Sequence, residues 1–215
     1  MASTMIEKRT NPAPLGLAGF GLTTILLSLV NAGVLPGAGQ SVVLPLALFF
    51  GGLIQLIAGV MEYREGNTFG TTVFTSYGAF WIWFASMVIL ANVGALNLKG
   101  ANSAIGTCLL LWALLTAGFF VASMRLTRLI SSAVFMADVT LVLLGLGEIM
   151  ESQTLHMLGG WAGVITGLLA TYASSAVLIN TELGRAVLPT GVRAQITSDE
   201  LLVGARVETR PRPTA

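Results

Sequence analysis

Six long apolar stretches, each close to the length of a bilayer-spanning helix, constrain this chain more than any other feature. They cover residues 15–35, 42–61, 69–93, 104–124, 129–149 and 155–179. A helix rising about 1.5 Å per residue needs about 20 such residues to cross the roughly 30 Å hydrocarbon core. The breaks between them are short and polar: PGAGQS, EYREGNT, GALNLKGANS, RLTR and ESQ. Connections this short force consecutive helices to run antiparallel. Composition agrees, because only 10% of residues are charged and mean hydropathy is +0.82, against about 25% charged in a typical soluble domain. A water-soluble fold with this sequence would expose large apolar patches. The expected fold is therefore an all-α membrane protein of six transmembrane helices.

An even number of spans places both termini on one side, and basic residues decide which. That side holds Lys8, Arg9, Arg64, Arg125, Arg128, Arg185, Arg193, Arg206, Arg210 and Arg212, and the other holds Lys99 alone. The partition predicts cytoplasmic termini in a multi-pass protein of the cytoplasmic (inner) membrane. It divides the chain into an N-terminal cytoplasmic segment and helix start (1–14), a six-helix domain (15–180) and a cytoplasmic tail (181–215), disordered beyond about residue 195. The polar start MASTMIEKRTNPAP lacks the apolar run of a cleaved secretory signal, so the first span is expected to act as the insertion signal.

What is scarce narrows the chemistry. One cysteine, Cys108, and one histidine, His156, leave no intrachain disulfide, no Cys/His metal cluster and no expected cofactor. A membrane-embedded hydrolase would need a nucleophile with its base or a ligand set, and neither is visible, so no enzymatic activity is expected. A net charge of +1 gives no reason to expect nucleic acid. A sensor of small solutes ranks low, since the tail carries no recognisable output domain.

The spans carry patterned small and polar residues. Gly159, Gly163 and Gly167 form a doubled GxxxG, and Gly51, Gln55, Gly59 and Glu62 share one face of the second span. Such stripes favour close helix contact and also leave room for a path. Asn11-Pro12-Ala13-Pro14 makes a sharply defined helix start, with Asn11 as N-cap and an anion-attracting N-terminus behind it. Phe20, Thr24, Ser28 and Asn31 follow on one face, and the third span places Thr72, Thr75, Ser76 and Tyr77 ahead of Phe80, Trp81, Trp83 and Phe84. Hydroxyls beside aromatics suit a solute with a polar head and a short apolar tail; the plain alternative is backbone-bonded hydroxyls and packed rings. Asp138, in the fifth span, must be near the cytoplasmic mouth, paired (Arg125 and Arg128 are near in sequence), protonated or path-facing, because an aspartate in the hydrocarbon centre costs about 2.5–3.5 kcal/mol. Glu62 and Glu148 read as solvated span-end residues. With no Lys or Arg deep in any span, a carboxylate in transit would bind weakly and leave quickly, as conduction requires.

NPAPLGLAGFGLTTILL, GGLIQLIAGVMEYREGNTFG and TVFTSYGAFW, with GRAVLP near the end, together resemble the acetate uptake transporter family over about residues 11–190. The resemblance implies a six-span fold like that of the proton-gated urea channels and a homohexamer with a path in each protomer. It implies uptake of acetate, and of succinate or related carboxylates in some members, tied to protons. It also implies a narrow waist of Phe20, Tyr77 and a leucine whose place falls here on Ala137, followed by Asp138. The departure leaves two expectations open: Leu141, one turn on, closes the waist, or the path is wider at Ala137. Acetate and related carboxylates, protons and lipid are thus the expected partners, and Asn11, Thr24, Ser28, Asn31, Gln55, Thr72, Thr75 and Asp138 the candidate solute-binding residues. The alternative function is a channel for neutral solutes: urea, amides or undissociated acid.

Overall fold

The computed structural model describes residues 10–192. Helix α1 (Ala13–Asn31) is followed by a short 3-10 turn (Gly37–Gly39), α2 (Gln40–Leu46), a π-helical segment (Ala47–Ile54) and α3 (Gln55–Arg64). Then come α4 (Thr68–Asn92), α5 (Asn102–Ser123), α6 (Arg128–Ile149) and α7 (Gln153–Glu182). Among the described residues there is no strand, and six helices are long and apolar enough to cross a membrane. The second runs from Gly37 to Arg64 through α2, the π-helical segment and α3.

Side-chain caps start three of these helices. The Asn67 Oδ1 accepts from Gly70 N–H at 3.1 Å, the Thr127 Oγ1 from Ile130 N–H at 3.2 Å and the Ser152 Oγ from Leu155 N–H at 3.4 Å, each pairing a donor the helix cannot satisfy itself. At α1 the N-cap is Pro12 and not Asn11, as the sequence suggested. Asn11 still holds that start, its Oδ1 accepting from Ala13 N–H at 3.0 Å. The second span departs further from expectation, being uniform α-helix in the sequence reading. Pro45 has no N–H to give the α ladder, and the π-helical segment begins two residues later.

Glycine sets the packing. Helix α1 packs most extensively against α7, and α6 sits between α5 and α7. A Cβ on Gly160 would strike the backbone N of Ala32, one on Gly163 the Ser28 hydroxyl, and one on Gly167 would lie 2.8 Å from the Gly21 carbonyl. Gly159 faces Leu144 of α6 instead. The predicted stripe is thus a helix contact, but it divides between two partners, with Gly160 taking Gly159's place against α1. Gly51 meets Thr23 and Gly59 meets Thr75 in the same close manner.

The tail does not leave the bundle at once. After a turn at Gly184 (φ 62°), the Asn180 amide brackets the returning chain, donating to Leu188 C=O at 2.8 Å and accepting from Val187 N–H at 2.7 Å and Leu188 N–H at 2.9 Å. Tyr172 OH donates to Pro189 C=O at 3.0 Å. The Gly191 and Thr190 carbonyls then accept from Arg128 N–H (2.9 Å) and Leu129 N–H (3.3 Å) at the start of α6. The expected disorder beyond about residue 195, and Lys8, Arg9, Arg193, Arg206, Arg210 and Arg212 of the charge partition, lie outside the described residues.

Candidate functional site

Antiparallel order gathers the starts of α1, α4 and α6 with the ends of α3, α5 and α7 at one end of the bundle, here termed proximal, near Arg64, Arg125, Arg128 and Arg185. Lys99 lies at the opposite, distal end. A cavity opens toward each. The proximal one, about 140 Å³, is walled by Leu17, Phe69, Val73, Phe74, Ile130 and Val134, with Gln55, Glu62 and Asn67 as its polar members. The distal one, about 350 Å³, has Thr24, Ser28, Asn31, Thr140 and Thr166 facing Phe80, Trp81, Trp83 and Phe84, with Glu148 and His156 toward the mouth. Phe20, Tyr77 and Ala137 are the residues that line both.

Those three residues are common to the walls of the two spaces. The Phe20 and Tyr77 rings meet edge to face with centroids 5.0 Å apart, an attractive geometry for two quadrupoles. Phe80, Trp112 and Phe119 stand 6.2–6.3 Å from Tyr77 and fix its ring. Its hydroxyl lies 2.7 Å from Thr116 Oγ1, while Thr116 places its own single proton on Trp112 C=O at 2.8 Å. Tyr77 is therefore the donor of the pair, and its O–H is directed into α5. Leu141 lines the distal cavity only, so Ala137, and not the leucine one turn on, borders both spaces.

The other candidates divide. Thr24, Ser28 and Asn31 reach the distal cavity and Gln55 the proximal one. Asn11, Thr72, Thr75 and Asp138 line neither cavity. Thr72 is exposed and donates to Thr68 C=O at 2.8 Å. Thr75 donates to Thr71 C=O at 2.7 Å and is turned onto Gly59. Asp138 is half-buried, and among the described residues no ion pair joins it to Arg125 or Arg128. Ten helical residues place it about 15 Å along α6 from Arg128, and its Oδ1 is buried without a partner.

Glu62 requires a correction. The sequence reading made it a solvated span-end residue, but only 2% of it is exposed. Asn67, which caps α4, folds over it and donates to its Oε2 at 2.7 Å, while Oε1 is left without a partner. Gln55, 1% exposed, also has an unpartnered Oε1. The sequence reading also missed Thr116 and the Thr140–Thr166 pair, whose oxygens lie 3.2 Å apart. Glu148 stays partly exposed as expected and lies 3.5 Å from His156 Nε2. Among the described residues no cluster of His, Cys, Asp or Glu has the makings of a metal site, and no Lys or Arg lines either cavity.

Comparison with known proteins places this geometry in context. The family model described as GPR1/FUN34/yaaH matches residues 1–191. The succinate-acetate/proton symporter SatP of Escherichia coli K12 is 39% identical over 184 residues, 86% of this chain and 96% of that protein. Acetate permease A of Emericella nidulans is 32% identical over 204 residues, 87% of this chain and 67% of that protein. A solved structure described as the bacterial acetate channel SatP superposes with a TM-score of 0.82 at 38% identity, covering 86% of this chain and 100% of that one.

Proposed function

The chain belongs to the GPR1/FUN34/yaaH family, and from that premise we propose that it moves acetate across a membrane by way of its two cavities and the Phe20–Tyr77–Ala137 waist. The relatives named for acetate transport span nearly the whole described chain, and no family member among them is named for catalysis. The observation that carries the reading is that the same three side chains line both cavities. We place the path inside each subunit of the hexamer that the family resemblance implies. Arg64, Arg125, Arg128 and Arg185 against Lys99 support a cytoplasmic proximal end in the inner membrane.

The waist divides the work. A carboxyl group in the distal cavity meets Thr24, Ser28, Asn31, Thr140 and Thr166, while its methyl group meets the aromatic wall. Passing the waist strips it of water between two rings. Beyond it, the proximal cavity offers Gln55, Glu62 and Asn67 as its polar members. The succinate in a relative's name makes longer carboxylates a second substrate class. A path for neutral solutes such as urea or amides is the competing reading, and the absence of Lys and Arg from both cavity walls favours it.

The test is uptake of labelled acetate into liposomes holding the purified protein, with Phe20→Ala and Tyr77→Ala alongside. Opening the waist is expected to raise flux and weaken discrimination between acetate and longer acids in both variants. Transport unchanged in both would remove the waist from the mechanism.

A further inference from the structure

Two side chains set the charge at the distal mouth. Among the described residues, Glu148 and His156 are the ionisable groups on the distal cavity besides Tyr77, whose O–H is held by Thr116. Glu148 stands next to the last residue of α6, and His156 lies four residues into α7. The turn between the helices brings the pair together. Ser152 N–H donates to Gly147 C=O at 2.9 Å, and Ser152 Oγ caps α7. A Cβ on Gly147 would lie 3.0 Å from His156 Cδ2, so the bare backbone there forms the notch in which the ring rests. His156 Nε2 is thereby held 3.5 Å from Glu148 Oε1.

Helix stability does not account for that carboxylate. A negative charge in the last turn of α6 adds to the negative end of the helix dipole, and the last turn holds no basic residue to offset it. Glu148 and His156 are 27% and 32% exposed, neither sealed from the cavity nor lost in bulk water. Lys99 and Glu151, of opposite sign, stand at the same end without lining the cavity. An anionic solute entering here therefore meets one carboxylate, tempered by one imidazole, and no Lys or Arg. Two like unit charges about 6 Å apart, at an effective dielectric near about 40, disfavour each other roughly tenfold in occupancy. A monoanion feels this once. A dianion feels it at both ends, the second a few Å farther off and weaker.

We propose that Glu148, positioned by His156, is a charge filter at the distal mouth that admits monocarboxylates and holds back dicarboxylates. The filter rests on the acetate reading above and adds to it the residue that sets how well the second substrate class is accepted. It acts on the number of charges, whereas the Phe20–Tyr77–Ala137 waist acts on width. His156 offsets part of the repulsion by turning a ring N–H, or the charge of an imidazolium, onto the carboxylate.

The experiment is equilibrium exchange of labelled solute in proteoliposomes with equal concentrations on both sides, so that both orientations of the protein count equally. Succinate is compared with succinamate, in which an amide of the same size replaces one carboxylate, at a pH where the carboxyl groups of both are ionised. Acetate is run beside them, and elution volume checks folding. In Glu148→Gln the succinate-to-succinamate exchange ratio is expected to rise about threefold to tenfold at low ionic strength. Parent and variant should converge in about 1 M salt, where screening acts within about 3 Å. Glu148→Asp keeps the charge and is expected to keep the ratio near the parent's. His156→Ala bares the carboxylate and is expected to lower the ratio about twofold to threefold; an unchanged ratio there would strike His156 from the filter. A folded Glu148→Gln protein with the parental ratio, a rise that salt does not erase, or a rise in His156→Ala as well would each overturn the proposal. So would exchange of acetate but of neither longer acid in parent and variants alike, since width alone then excludes them. Absence of protein-dependent acetate exchange would instead sink the acetate reading itself, and the filter with it.

Discussion

Replacing Ala137 by leucine tests the waist directly. Ala137 is buried on α6 and borders both cavities, beside rings that are held in place by Trp112, Phe80 and Phe119. An isobutyl group in place of its methyl cannot retreat into the bundle, where Thr140 and Thr166 are already in contact one turn away. On the proposed path it projects between the two cavities that Ala137 borders. A passing solute then has to displace it, and overpacking of this kind costs about 1–3 kcal/mol. At about 1.4 kcal/mol per tenfold in rate, acetate flux should fall roughly fivefold to hundredfold. Succinate should lose more, because its second carboxyl follows through the same constriction. The assay is initial uptake of each labelled acid into liposomes, with thermal midpoint and elution volume as controls for folding. A folded Ala137→Leu protein whose succinate-to-acetate flux ratio equals that of the parent would refute the reasoning.

Two further outcomes follow from the packing. Gly160→Ala should destabilise the protein by about 1–3 kcal/mol, since its methyl meets the backbone of α1, while Gly118→Ala, with nothing within 4 Å, should leave the thermal midpoint unchanged; equal midpoints for the two would contradict the α1–α7 contact. Asn180→Ala removes three hydrogen bonds that bracket residues 187 and 188, so limited proteolysis should cut the 183–192 segment faster, with transport-competent helices intact; an unaltered cleavage rate would show that this amide does not hold the strap.

The spans were legible because run length is a one-dimensional property, and the bilayer reads it directly. Phe20 and Tyr77 were legible through the motifs that contain them, and their meeting in space follows once α1 and α4 face each other. Partners distant in sequence were not. Thr116 lies 39 residues from the hydroxyl it fixes, and nothing in α5's own pattern distinguishes it from any membrane threonine. Glu62 looked solvated because it stands at a span end, yet the cap of the next helix closes over it. Thr75 looked path-facing on the hydroxyl stripe, but Gly59 leaves a notch that accepts it. Asp138 follows Ala137 by one residue, and one residue of α-helix is a turn of about 100°, enough to carry it off the cavity wall.

The π-helical segment at Ala47–Ile54 has a consequence for how the second span is aligned. In an unbroken α-helix the faces of the two ends are rigidly tied, so moving one residue in or out of the middle rotates one end by about 100° against the other. Here α2 buries Val43 and Leu44, and α3 buries Gln55, Ala58, Gly59 and Glu62, with a stretch of different winding between them. The different winding shifts the rotational register of one half against the other. Gln40 on the distal cavity and the Gln55–Glu62 face on the proximal one are thereby set at a relative angle that an unbroken α-helix of the same length would not give.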